Sequence, residues 1–201
     1  DTIAKKTNAR HNARLSGELI YMTCGAAASL TITLHALACE GDEFIVFAPF
    51  FPEYQVFCAN AGAGVKIAQC SGEQFEIDFD NLAAALNKNT RAIIINSPNN
   101  PTGAVLSEDN IKKLATLLNE KSKEYGRSIM IIGDEPYREL VHGGVKVPYI
   151  PAYYDNTVVC YSYSKSLSLP GERIGYIYVP RQAADSAALY AAIAGAARAA
   201  G

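Results

Sequence analysis

One lysine, Lys165, stands among four serines in SYSKSLSLPGERIGY (162–176), with Arg173 eight residues further on. By itself such a lysine reads as a surface residue of a loop. Other chemically capable residues occupy comparable places, each just after an apolar run of strand length. GDEPYREL (133–140) puts Asp134 and Tyr137 behind SIMIIG, and NSPNNPTG (96–103) puts Asn100 behind RAIIIN. APFFPEY (48–54) puts Phe51 behind EFIVFA, and TCGAAAS (23–29) puts Gly25, Ala26 and Ala27 behind ELIYMT.

Each of these has an ordinary reading. A carboxylate ending a buried strand is costly unless a cation or donor meets it, yet Asp134 alone reads as the N-cap of a short helix begun by Pro136. Asn100 alone is a turn residue, Phe50 and Phe51 are core, and the small residues at 25–29 serve either close packing or an anion at a helix start. Taken together they supply an amine, a carboxylate with a phenol, an amide, an aromatic face and an anion-binding end, with Ser162, Ser164 and Arg173 beside the amine.

The elements that must position them alternate. Strand-length runs at 18–23, 43–48, 64–69, 91–96, 128–133, 157–162 and 174–179 are nearly continuously apolar, as strands buried on both faces are. Helical segments lie between them at 26–39, 52–62, 79–87 with Asp80 near its start, and 107–126 between Ser107 and Gly126. The pattern predicts a three-layer α/β/α domain with a mostly parallel sheet of about seven strands. In such sheets ligands bind beyond the carboxyl ends of the strands, where all the residues above fall. The tail, AADSAALYAAIAGAARAAG (183–201), reads as a surface helix on Leu189 and Ile193, and its texture leads us to expect a shortened or altered C-terminus.

Composition narrows the chemistry. A chain of 201 residues with 49% hydrophobic and 19% charged residues is globular, and a net charge of −2 without basic stripes disfavours nucleic acid and polybasic membrane contacts. Cys24, Cys39, Cys58, Cys70 and Cys160 show no CxxC spacing and are expected as reduced, buried thiols in a cytoplasmic protein. Three scattered histidines give no zinc pattern, no run approaches a membrane span, and no GxGxxG or GxxxxGK occurs.

GAAAS, PFFPEY, NNPTG, DEPY and SYSKS with Arg173 downstream resemble the large domain of the fold-type I pyridoxal-phosphate enzymes. They do so in the order and spacing of the class I/II aminotransferases, over about residues 20–180. The resemblance implies pyridoxal 5'-phosphate bound through a Schiff base to Lys165, which then acts as the proton-moving base. It implies Asp134 against the pyridinium nitrogen, Tyr137 and Asn100 on the phenolic oxygen, and Phe51 on the ring face where Trp or Tyr is common. The phosphate would rest on the Gly25, Ala26 and Ala27 segment with Ser162, Arg173 and, in a lesser part, Ser164.

It also implies an aminotransferase acting on an amino acid and a 2-oxo acid, as a homodimer. A C–S lyase or an aminocyclopropane-carboxylate synthase relative would use the same core. The family's smaller domain carries an arginine for the substrate carboxylate, and neither it nor a partner-subunit tyrosine is recognisable here. Residues 1–201 are therefore expected to be the cofactor-binding large domain alone, and a fragment that binds cofactor without turnover is a third possibility.

Overall fold

The computed structural model describes residues 1–200. Helix α1 (Thr2–His11) leads to β1 (Ile20–Thr23), α2 (Ala26–Leu37), β2 (Glu43–Ala48), α3 (Glu53–Asn60), β3 (Gly64–Ser71) and β4 (Glu76–Ile77). There follow α4 (Phe79–Ala85), β5 (Thr90–Asn96), α5 (Glu108–Tyr125), β6 (Met130–Asp134), β7 (Thr157–Ser162), α6 (Tyr163–Ser166), β8 (Gly175–Tyr178) and α7 (Ser186–Ala200). The strands form one sheet in the order β1-β8-β7-β6-β5-β2-β3-β4. From β7 to β3 the pairing is parallel, whereas β8, β1 and β4 run antiparallel to their neighbours.

The near-continuous apolar runs are explained by the two faces they serve. Alternate residues of the central strands, among them Phe44, Ile94, Ile132 and Val158, point into a core with Leu30, Leu34 and Leu37 of α2, Tyr54 of α3, and Leu189 and Ile193 of α7. Their neighbours Ile45, Ile93 and Ile131 point the other way, against Leu82 of α4 and Ile111, Leu114 and Leu118 of α5. On that second face α1 also packs, its Ala4 meeting Tyr149, Tyr161, Tyr176 and Tyr178. Each fully buried aliphatic chain contributes about 2 kcal/mol relative to exposure, so the two-sided core supplies much of what holds the central strands in the interior.

Helix α5 follows its sequence signals closely. The Ser107 hydroxyl accepts from the Asn110 N–H at 3.2 Å, Glu108 and Asp109 complement the positive end, and Gly126 closes the helix at φ +67°.

Several expectations are corrected. The sheet has eight strands, because β4 adds a two-residue antiparallel hairpin arm to β3. β3 is not buried on both faces: only Ala68 in it is fully buried, since β3 lies near the sheet edge. Asp78, not Asp80, caps α4, its carboxylate accepting from the Asn81 N–H at 3.0 Å. Pro136 starts a turn rather than a helix, so Asp134 is no N-cap. Among the thiols only Cys58 and Cys160 are buried, while Cys24 and Cys39 are exposed. Helix α1, which the alternation did not announce, covers the tyrosine-rich end of the second face.

Candidate active site

The exits of β1, β2, β5, β6 and β7 surround a cavity of 350 Å³. Every candidate residue except Gly25 lines it: Ala26, Ala27, Phe51, Asn100, Asp134, Tyr137, Ser162, Ser164, Lys165 and Arg173. Gly25 lies directly behind as the N-cap of α2. Phe50 instead lines a separate, small apolar cavity with Phe47 and Phe75, so only Phe51 of the pair faces this site.

At one end the arrangement suits an anion. Gly25 holds φ +94°, a conformation side chains rarely adopt, and the first N–H groups of α2 lack carbonyl partners within the helix. A Cβ at Gly25 would come within 2.7 Å of Arg173 Nη2. That guanidinium donates to the Cys24 carbonyl at 3.2 Å and the Pro170 carbonyl at 3.1 Å, which anchors it beside α2. Arg173 itself sits at φ +50°, a left-handed conformation of a kind that clusters at ligand clamps. Ser162, ending β7, accepts from the Ser164 N–H at 3.1 Å and donates to the Ser164 hydroxyl at 2.7 Å.

At the other end lies a carboxylate. Asp134 is 5% exposed; its Oδ2 accepts from the Tyr54 hydroxyl at 2.6 Å, and its buried Oδ1 has no partner among the described residues. Burial lifts the Asp134 carboxyl to about 7, the Tyr54 hydrogen bond pulling down and the neighbouring Glu135 pushing further up. Glu135 is held in turn by Arg138 at 2.8 Å, both nearly buried. An orphaned, buried carboxylate oxygen facing a cavity calls for a cationic or N–H donor there.

Between the ends stand the flat and reactive groups. Lys165, exposed on the short α6, places Nζ 5.8 Å from the Tyr137 ring centroid. The Tyr137 hydroxyl is pushed above the usual phenol range by burial and then by Asp134. Asn96 ties two exits together: its Nδ2 donates to the Asp134 carbonyl at 2.8 Å, while its Oδ1 accepts from the Asn100 N–H at 2.6 Å. The site thus offers anion donors, an amine, a phenol and an amide, an aromatic face and an unpaired carboxylate around one space. These groups fit a flat, phosphorylated, nitrogen-containing aldehyde.

Three contributors went unread in the sequence. Tyr54 belongs to the APFFPEY stretch, and the need of Asp134 for a donor was the signal that could have found it. Asn96 reads as the last residue of a strand. Gly175 would bring a Cβ within 2.5 Å of the Tyr161 carbonyl and 2.8 Å of Gly25 Cα, so the cradle of Gly25 needs a glycine opposite.

Comparison with known proteins gives the lineage. The family model for aminotransferase class I and II matches residues 1–199. An aminotransferase from Eubacterium rectale superposes with a TM-score of 0.97 at 57% identity, covering 99% of this chain and 50% of that one. The Thermus thermophilus aspartate aminotransferase solved with maleate superposes at 0.85 with 26% identity, covering 98% and 49%. The aspartate aminotransferase of Pyrococcus horikoshii is 34% identical over 167 residues, 82% of this chain and 41% of its own length. The chain spans less than half the length of the curated relatives it matches. On a match that runs from its first residue to its 199th, the chain belongs to the class I and II aminotransferases.

Proposed function

We propose that this chain is the cofactor-binding part of an aminotransferase that moves an amino group between an amino acid and a 2-oxo acid. The single observation that carries the reading is the cavity that gathers Lys165, Asp134, Tyr137 and Asn100 next to the Gly25–Arg173 cradle. The family's cofactor is pyridoxal 5'-phosphate. Lys165 would hold it covalently, the start of α2 with Ser162 and Arg173 would hold its phosphate, and Asp134 would face its ring nitrogen. When bound, it supplies an electron sink for the pair released at the substrate's α-carbon.

The chain's residues do the rest. Lys165 Nζ, on α6 beside the Tyr137 ring, takes and returns the proton at the substrate α-carbon. Tyr137 and Asn100 donate to an oxygen on the ring and fix its tilt. Phe51 covers one ring face and excludes water from it. Arg173 and Ser162 bind a phosphate without taking part in the proton transfer. Among the described residues no helix is long and apolar enough to cross a membrane. A cytoplasmic location, supported by the cysteine usage, and a homodimer, supported by the resemblance, complete the reading.

Two measurements test it. Reconstitution with pyridoxal 5'-phosphate gives a visible absorption band of lysine-bound cofactor, and Lys165→Ala abolishes it; an unchanged spectrum in the variant would sink the assignment. With the whole protein, amino transfer requires a 2-oxo acid acceptor. Steady turnover of an amino acid without acceptor would favour a lyase.

A further inference from the structure

We infer that Tyr54 is a positioning residue: its hydroxyl holds Asp134 Oδ2 so that Oδ1 is presented, ionised, to the ring nitrogen of the cofactor. This rests on the cofactor reading above. Tyr54 does not line the cavity, so it acts through the residues that do.

The geometry is specific. Tyr54 is 2% exposed on α3, and its 2.6 Å hydrogen bond spans 80 residues of sequence to the end of β6. A bond that short from a phenol to a buried carboxylate is of the charge-assisted kind, and with one oxygen so anchored the other has a fixed direction. The same tyrosine meets Phe51 edge-on, with ring centroids 5.7 Å apart at 81°. One side chain thus braces both the carboxylate and the aromatic wall of the cavity.

Its competitors do not replace it. Glu135 adjoins Asp134 in sequence, Cys160 pairs with it from β7, and Tyr137 and Lys165 share its cavity. Among the described residues none of these donates a hydrogen bond to the carboxylate. Burial and the nearby Asp134 hold the Tyr54 phenol well above its usual range, which favours the protonated, donating form. Removing that donor leaves Oδ2 buried and unsatisfied, and the carboxylate then keeps a proton that it should leave on the ring.

The experiment uses the chain reconstituted with pyridoxal 5'-phosphate labelled with ¹⁵N in the ring, read by NMR across pH. In Tyr54→Phe the ring nitrogen is expected to lose its proton at a pH lower by about one unit or more, a tenfold change in that equilibrium. Cofactor affinity should fall roughly tenfold or more. Tyr154→Phe removes another buried hydroxyl, one that donates to the Ile129 carbonyl at 2.6 Å, and should leave the nitrogen titration unmoved.

A wild-type titration in Tyr54→Phe, with the visible band intact, overturns the inference and leaves the cofactor reading standing. Absence of the band in the unmutated chain overturns both. If Tyr54→Phe does not fold, a fluorinated tyrosine at position 54 keeps the shape and changes the phenol's acidity. It must then move the same titration, and an unmoved one overturns the proposal.

Discussion

Asp134→Asn makes the cofactor-free chain more stable at pH 8 while weakening its hold on pyridoxal 5'-phosphate roughly 10- to 100-fold. The sign follows from burial. The Asp134 carboxyl rises from 3.8 to about 7 in the folded state, so between these values the native protein keeps a proton that the unfolded chain releases. Stability from this group is therefore full below about pH 4, declines as pH rises to 7, and stays low above it. At about 1.4 kcal/mol per unit, the ionised carboxylate costs the empty site about 4 kcal/mol at pH 8, as an upper figure.

His11 works in the opposite direction. Burial, with Arg138 and Arg10 nearby, lowers it to about 4, so its contribution is lost as pH falls from 6.5 to 4. Comparing wild type with Asp134→Asn removes that background. Urea midpoints at pH 5 and pH 8 give the check: the variant's advantage must be larger at pH 8, and an equal advantage at both contradicts the account. The residue that strains the empty site is the one that a cationic ring nitrogen relieves.

Gly175→Ala should damage both fold and site. The added Cβ meets only backbone: the Tyr161 carbonyl at 2.5 Å and Gly25 Cα and C at 2.8 and 2.9 Å. Neither neighbour is free to yield, since Gly175 faces Ser162 in the β7–β8 ladder and Gly25 opens α2. Overpacking of this kind costs about 1–3 kcal/mol, a loss of roughly 3–10 °C in Tm for a domain of this size. Because Gly25 must move, the phosphate binding proposed for the α2 start and Arg173 is expected to fall as well. Gly171→Ala, where nothing lies within 4 Å, is the matched control and should melt like wild type.

The central strands were legible because two-sided burial writes a simple pattern: Ile93, Ile94 and Ile95 in succession admit few other readings. Beyond the hydrophobic core the signal thins. β4 has two residues and no periodicity to show, and α1 carries mostly polar side chains with only Ala4 and Thr7 buried. The residues now seen around the cavity were gathered by one rule, that strand exits meet on one edge. That rule selects by position after a strand, which is why it reached Lys165 and Asp134. Tyr54 and Gly175 escaped it because they act at one remove, a donor from a helix and a hydrogen atom where a methyl would not fit.

Arg173 and the Cys24 carbonyl it grips are 149 residues apart in sequence, and β1 joins the sheet only at its edge, against β8. A contact that distant closes one of the long loops of the domain, whose entropy must be offset before the contact rewards it, whereas β2 to β7 pair over shorter separations. A half-folded chain can therefore hold the lysine and the carboxylate in place and still have no seat for a phosphate. On the site reading proposed above, ligand affinity would accrue only to the finished sheet, making the cofactor a latch on completed folding rather than a template for it.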